Sequence, residues 1–416
     1  MSTREVVRIE SSTLKLGVIN SEVASVRTQT EAQTAVRVID GDCIGLASAV
    51  GAADLDKLTR AARENLFFEV PYPVTPQASL SMSVGHTGDT RSVDELVAFT
   101  QTILGSLRDE FPGFVFSHGV EQQHLAWHIE SDVGLDLHYS RDSTQVAFIA
   151  KEKGSGNIVD TFVGVAGAEL DVGGILGEFR SHLDGYGKIV PPRVGRQKVI
   201  FPGLSGMAGA GLLQLIRSDL IARVYAQGAS VFDGMVGDDR AHFSPDLSLR
   251  EIRDPDDARV CPFDMEGVVR DALNLDVIRQ GQLVSLAANQ RDAERYGVTA
   301  TGTAIGDIAQ LPSSGFGHLA AVPTAPKLSD LLDEDGALLV WFVAGGDSTR
   351  VGDMALPAQV MLVVDGEGRV VGRQAGATLT GNIFDVMGSD FVGVSAEKVD
   401  PYSDDSFFVT HMNVNG

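Results

Sequence analysis

A chain of 416 residues has the length for about two or three domains with a sizeable buried core. Hydrophobic residues make up 44% and charged residues 21%, which excludes a disordered chain and fits a soluble globular protein. The formal net charge of −23 repels phosphate backbones and anionic bilayers, so neither nucleic acid nor a membrane is an expected partner.

The first fifty residues read as short strands ending in AVRVIDGDCIGLASA, where Asp40-Gly41-Asp42 marks a hairpin turn. A helix follows, with Asp54 as N-cap and Leu55, Leu58, Ala62 and Leu66 on one face. The next helix opens at Ser92 with Glu95 in capping-box spacing and buries Leu96, Phe99, Ile103 and Leu107. Pro112-Gly113 closes it. Alternation then predicts strands to about residue 168, with Leu125, Trp127 and Ile129 on one face and His124, Ala126 and His128 on the other. A helix near Leu170–Leu183 leads to GYGKIVPPRVGRQ, a stiff Pro-Pro linker.

The second half begins with the strand KVIFPG, a Gly-rich turn and a helix carrying Leu212, Leu215, Ile216, Leu220 and Val224 as its core stripe. Hairpins follow at Gln280-Gly281, after alternation on Leu273, Leu275 and Val277, and at Asp365–Gly368. The predicted class is α+β: a mixed first half with an antiparallel meander over 1–188 and a strand-rich second half over 195–416.

Four constellations bear on chemistry. His124 and His128 have H-x-x-x-H spacing, but on a strand that separation is roughly 13 Å. Zinc–nitrogen bonds are about 2 Å, so the two cannot share one ion. No histidine is followed by Glu. PGLSGMAGAG at Pro202–Gly211 sits between strand and helix but does not fit G-x-G-x-x-G; a tight turn competes with an anion site. Ser348 in GGDSTR lies beside Asp347, but no sequence position marks a histidine as its base. Asp264 and Glu266 in PFDMEG would share a face of a strand. They are readable as a cation or acid–base pair, or as a turn-stabilising pair bridged to Arg270.

In this order the segments resemble the TldD/PmbA family over nearly the whole chain. The N-terminal hairpin, the meander ESDVGLDLHYSRDSTQVAFIA and the run from SVFDGMVGDD to TATGTA carry the likeness. Within that run Phe263, Asp264, Glu266, Gly267, Gln280-Gly281, Ala293, Thr301 and Gly302 match the pattern. FVAGGDSTRVGD, with Ser348, resembles the loop marking the PmbA-like, or TldE, side of the family.

The resemblance implies a heterodimer whose TldD-like subunit carries H-E-x-x-x-H and a later cysteine ligand to zinc. Here the motif's place falls at about Leu212–Ser218, which has no usual zinc ligand, and no cysteine follows Cys261. The chain therefore resembles the metal-free, TldE-like subunit, with no catalytic or metal residue of its own. The resemblance implies a TldD-like partner holding zinc, and a peptide substrate. Asp264, Glu266, Gly267, Thr301, Gly302 and Ser348 remain the candidate substrate-binding or family-motif positions. The alternatives are a stand-alone homodimeric peptide-binding scaffold, and an enzyme using the acid pair or Ser348. Cys43 and Cys261 are far apart and read as reduced thiols, and no signal-length or membrane-spanning apolar run is present. Both features lead to an expected cytoplasmic location.

Overall fold

The computed structural model describes residues 2–74, 77–157, 159–203, 212, 215–257, 259–400, 402 and 405–416. Among these, seven strands of the first half form one sheet: β1 Thr3–Ile19, β2 Glu22–Asp40, β3 Cys43–Val50, β4 Leu80–His86, β5 Phe114–Ser131, β6 Leu135–Glu152 and β7 Thr161–Gly167. The order is β3-β2-β1-β5-β6-β4, with β7 also paired to β6. The expected short strands are instead a single hairpin of 17 and 19 residues, β1 and β2. Its turn, Asn20-Ser21, has both residues at positive φ (53° and 62°), the geometry that matches strand twist. Polar residues on both faces hide this strand in the sequence. The distal part of β2 lies in solvent, with residues 24–31 exposed at every position.

Both faces of the sheet are covered, each over part of its area. On one face Val7, Ile129, Leu135 and Leu137 meet Phe263, Met265, Ala304 and Ile308 from the second half. The other face is covered in two places. Helix α1 (Leu55–Asn65) covers Val6, Val36 and Val38. Helices α2 (Val93–Glu110) and α3 (Val172–Tyr186) cover Leu16, Val18, Phe116 and Phe148. The predicted caps are in place: Asp54 accepts from Lys57 N, and Ser92 and Glu95 form the capping box.

The second half contains β8 Gly195–Pro202, β9 Leu249–Ile252, β10 Asn274–Arg279, β11 Gln282–Leu283, β12 Ala304–Ile305, β13 Ser313–Ser314 and β14 His318–Ala321. It continues with β15 Ala337–Val343, β16 Asp347–Ser348, β17 Asp353–Val364, β18 Val370–Gln374, β19 Ala377–Asn382, β20 Phe391–Lys398 and β21 Ser406–Asn415. The path β15-β8-β21-β19-β17 closes on itself, because β15 also pairs with β17. This α+β architecture, rich in strands, is the one expected. Alternation at 273–277 is partly overturned. Leu273 is exposed, and a register shift between Asp276 and Ile278 buries both Val277 and Ile278. The Pro-Pro segment is docked, since Val190 N donates to Arg373 O and Arg193 N to Gln374 Oε1.

A buried ion pair lies where the halves meet. Arg37 on β2 donates to Glu5 Oε1 (2.8 Å) and to the Met265 carbonyl of the second half (2.6 Å). Both side chains are almost fully buried. Arg37→Ala should therefore strand the Glu5 carboxylate and lower unfolding free energy by about 3–5 kcal/mol in chemical denaturation. The double variant Glu5→Leu/Arg37→Met should recover most of that loss.

Candidate functional site

The acid pair does not lie on a strand. Residues 264–267 form a tight turn closed by the bridge between Phe263 and Val269. Asp264 Oδ1 accepts from the Glu266 and Val268 amides (2.8 and 2.9 Å), and Oδ2 accepts from Ala304 N (2.9 Å). Gly267 turns the chain at φ 72°, and a Cβ there would come 2.7 Å from Leu135 Cδ2 on β6. Glu266 reaches both halves. Its Oε1 accepts from the Tyr72 hydroxyl (2.7 Å) and its Oε2 from Gln290 N (2.9 Å).

Thr301 ties down the adjacent loop. Its Oγ1 accepts from Ala288 N and donates to Leu286 O, both at 2.9 Å. Gly302, at φ 60°, packs against Val268 and Arg270. Asp264, Glu266, Gly267, Thr301 and Gly302 thus come together in one buried knot whose hydrogen bonds are made internally. Arg270 is not the acids' salt-bridge partner. It donates to Glu251 Oε2 (2.6 Å), which is fully buried, and Arg253 binds the other oxygen of Glu251. Sequence spacing favoured the near acids, but the fold brings Glu251 closer.

Ser348 lies elsewhere, exposed on β16 opposite Met354. The neighbouring Gly346 packs against Leu356 and Leu215, so this loop borders the segment that opens the second half. In that segment Leu212, Ile216 and Leu220 are buried and Leu215 packs against the same core. The predicted helix is broken: Ile221 bridges to Ala287, and a second short helix, α4, runs Ala222–Ala226. Positions 204–211, 213 and 214 lie outside the described residues, and with them most of the glycine cluster. In composition the stretch Leu212–Ser218 offers no imidazole, thiolate or carboxylate, so its donor set does not fit zinc.

Between the halves, a cleft of about 300 Å³ is lined by Trp127, Tyr139 and Arg141 of the first sheet and by Cys261, Phe263 and Met265 opposite. Sequence reading missed it, because no local pattern marks a surface made by two distant segments. Burial pushes the Cys261 thiol up to about 12, which keeps it protonated and a poor nucleophile.

Burial, together with the Asp264 carboxylate beside it, pushes the Glu266 carboxyl up to about 7. Burial also raises Asp264, and its amide donors oppose that rise. In the unfolded chain Glu266 ionises near 4.5, while the folded chain keeps the proton to about 7. Between those values the unfolded state releases a proton that the folded state retains, so stability falls as pH rises. Glu266→Gln mimics the protonated acid. It should remove a decline of roughly 2–3 kcal/mol between pH 4.5 and 7, read from denaturation curves across that range.

Residues 195–416 match a family model described as the PmbA/TldA metallopeptidase C-terminal domain. None of the curated proteins matches the sequence. Among solved structures, TldE from Thermococcus kodakarensis matches with a TM-score of 0.80 at 19% identity, covering 100% of this chain and 97% of that one. A candidate modulator of DNA gyrase from Thermotoga maritima matches with a TM-score of 0.76 at 17% identity, covering 99% and 96%. A second candidate gyrase modulator, from Bacteroides thetaiotaomicron, has a TM-score of 0.76 at 12% identity and covers 100% and 94%. At these identities the likeness is one of fold.

Proposed function

The chain belongs to the PmbA/TldD family, and on that basis we propose that it is the non-catalytic, TldE-like subunit of a heterodimeric zinc metallopeptidase. One feature supports the reading: the family resemblance puts the catalytic subunit's zinc motif at about Leu212–Ser218, and that stretch of this chain carries no imidazole, thiolate or carboxylate. A zinc peptidase needs about three protein ligands and an open position for water. Here that stretch contributes Leu212 and Ile216 to the core instead.

The TldD-like partner, carrying H-E-x-x-x-H, supplies zinc, general base and hydrolytic water. This chain forms part of the chamber wall and helps bind short or unfolded peptides. Its knot of Asp264, Glu266, Gly267, Thr301 and Gly302 contributes by holding the two halves in register, not by contacting the scissile bond. The net charge of −23 argues against direct contact with DNA, so an effect on gyrase would run through protein substrates. Both cysteines are free, which fits a reducing compartment, and we place the protein in the cytoplasm. Among the described residues no helix is long and apolar enough to cross a membrane.

Co-expression with a TldD-like chain should give a one-to-one complex that cleaves peptides. Replacing the partner's motif histidines should abolish activity, and Ser348→Ala in this chain should leave turnover within about twofold. A homodimer that captures no such partner, or peptidase activity of this chain alone that Ser348→Ala removes, would overturn the proposal.

A further inference from the structure

The long sheet has more surface than its helices cover. On the face shared by α1 at one end and α2 and α3 at the other, the middle is bare. A cleft of about 470 Å³ opens there, lined by Arg8, Glu10, Ser83, His124, His128 and His138. Strand register explains its composition. Arg8 on β1 stands opposite His128 on β5, and His128 stands opposite His138 on β6. One pair along, Glu130 stands opposite Asp136. The side-chain period of two puts all five residues on this face.

The donors converge. His128 Nε2 and His138 Nε2 lie 2.9 and 3.1 Å from the same oxygen, Asp136 Oδ1. The two imidazoles stack, with centroids 3.8 Å apart and planes 17° from parallel. The nitrogen and carboxylate ligand atoms of His128, Asp136 and His138 all lie within 4.8 Å of one another. Among the described residues this is the only such group of three. The pair His124/His128, spaced along one strand, cannot share an ion, but His128 and His138, opposed across two strands, can.

We propose that His128, Asp136 and His138 form a binding site for a divalent first-row transition metal on this chain, separate from any zinc held by a partner. Two imidazoles and one carboxylate suit Zn²⁺ or Ni²⁺, with the remaining positions open to water from the cleft. Binding shifts the His128 ring proton from one nitrogen to the other and releases none. A guanidinium only donates, so Arg8 Nη1, 3.2 Å from His128 Nδ1, fixes that atom as acceptor and leaves the neutral ring's proton on Nε2. A metal on Nε2 moves the ring proton to Nδ1, where it faces Arg8. The guanidinium then turns to Glu130, which it already holds at 2.8 Å. The stacked rings splay to aim both lone pairs at the ion, a side-chain movement at a half-exposed surface.

The test is calorimetric titration of the untagged, purified full chain with ZnCl₂ and with NiCl₂, without any partner. One saturable site per chain is expected. Loss of an outer-shell contact to a metal ligand costs about 10–100-fold in affinity, so His128→Ala or His138→Asn should weaken binding by about 100-fold or more. Arg8→Gln removes the opposing charge and the competing hydrogen bond, and should tighten binding by about tenfold. His124→Ala, paired instead with Asp142, should change nothing. Circular dichroism confirms that each variant is folded. Absence of saturable one-to-one binding, or binding that persists unchanged in folded His128→Ala and His138→Asn, overturns the proposal. The inference does not depend on the subunit reading: those variants should still join a TldD-like chain, and failure of either result leaves the other standing.

Discussion

The structure depends on a charge that has nowhere to go but inward. Arg37 lies beneath the junction of the two halves, where its Nη1 donates both to Glu5 from its own sheet and to the Met265 carbonyl from across the boundary. A buried guanidinium of this kind tolerates little displacement, because loss of Glu5 leaves an uncompensated charge in low dielectric and loss of the Met265 carbonyl costs a buried hydrogen bond. The turn at 264–267 is therefore tied to the first half by Arg37 and by the Tyr72–Glu266 bond. Gly267 follows from the same closeness, since a side chain at that point would strike Leu135.

From this anchor a chain of hydrogen bonds runs into the second half. Glu266 accepts from Gln290 N, at the start of a short helix whose N-cap is Asn289. The strand-like segment before it bonds to Leu220 and Ala222 through Ala287. The segment that opens the second half is thus positioned by the same network as the family-motif residues. The segment is held in place, and its Leu212, Ile216 and Leu220 side chains enter the core.

The first sheet has a different economy. Its strands are longer than the elements packed on them, so no single cover spans a whole face. One face is closed by the second half and the opposite face by three helices, with a polar gap between the helical covers. Residues in such a gap are free of packing demands and keep charged or imidazole side chains. That freedom is why His124, His128 and His138 collect there without penalty to the core.

Local rules were readable before any fold was known. The caps at Asp54 and Ser92, the hairpin turns at Gly41 and Gly281, the stripe through Leu212, Ile216 and Leu220, and the lack of zinc donors in that stretch all follow from residues within a few positions of each other. The period of an element and the identity of its side chains are properties of a short window. Tertiary structure alone decided what distant windows do to one another. It bent the acid pair into a turn, gave Arg270 to Glu251 and broke the helix at Ile221. It made the cleft at Trp127 and set His128 beside His138. The reason is physical: burial and electrostatics depend on distance in space, and residues ten or more than two hundred positions apart become neighbours only when strands choose their partners and register.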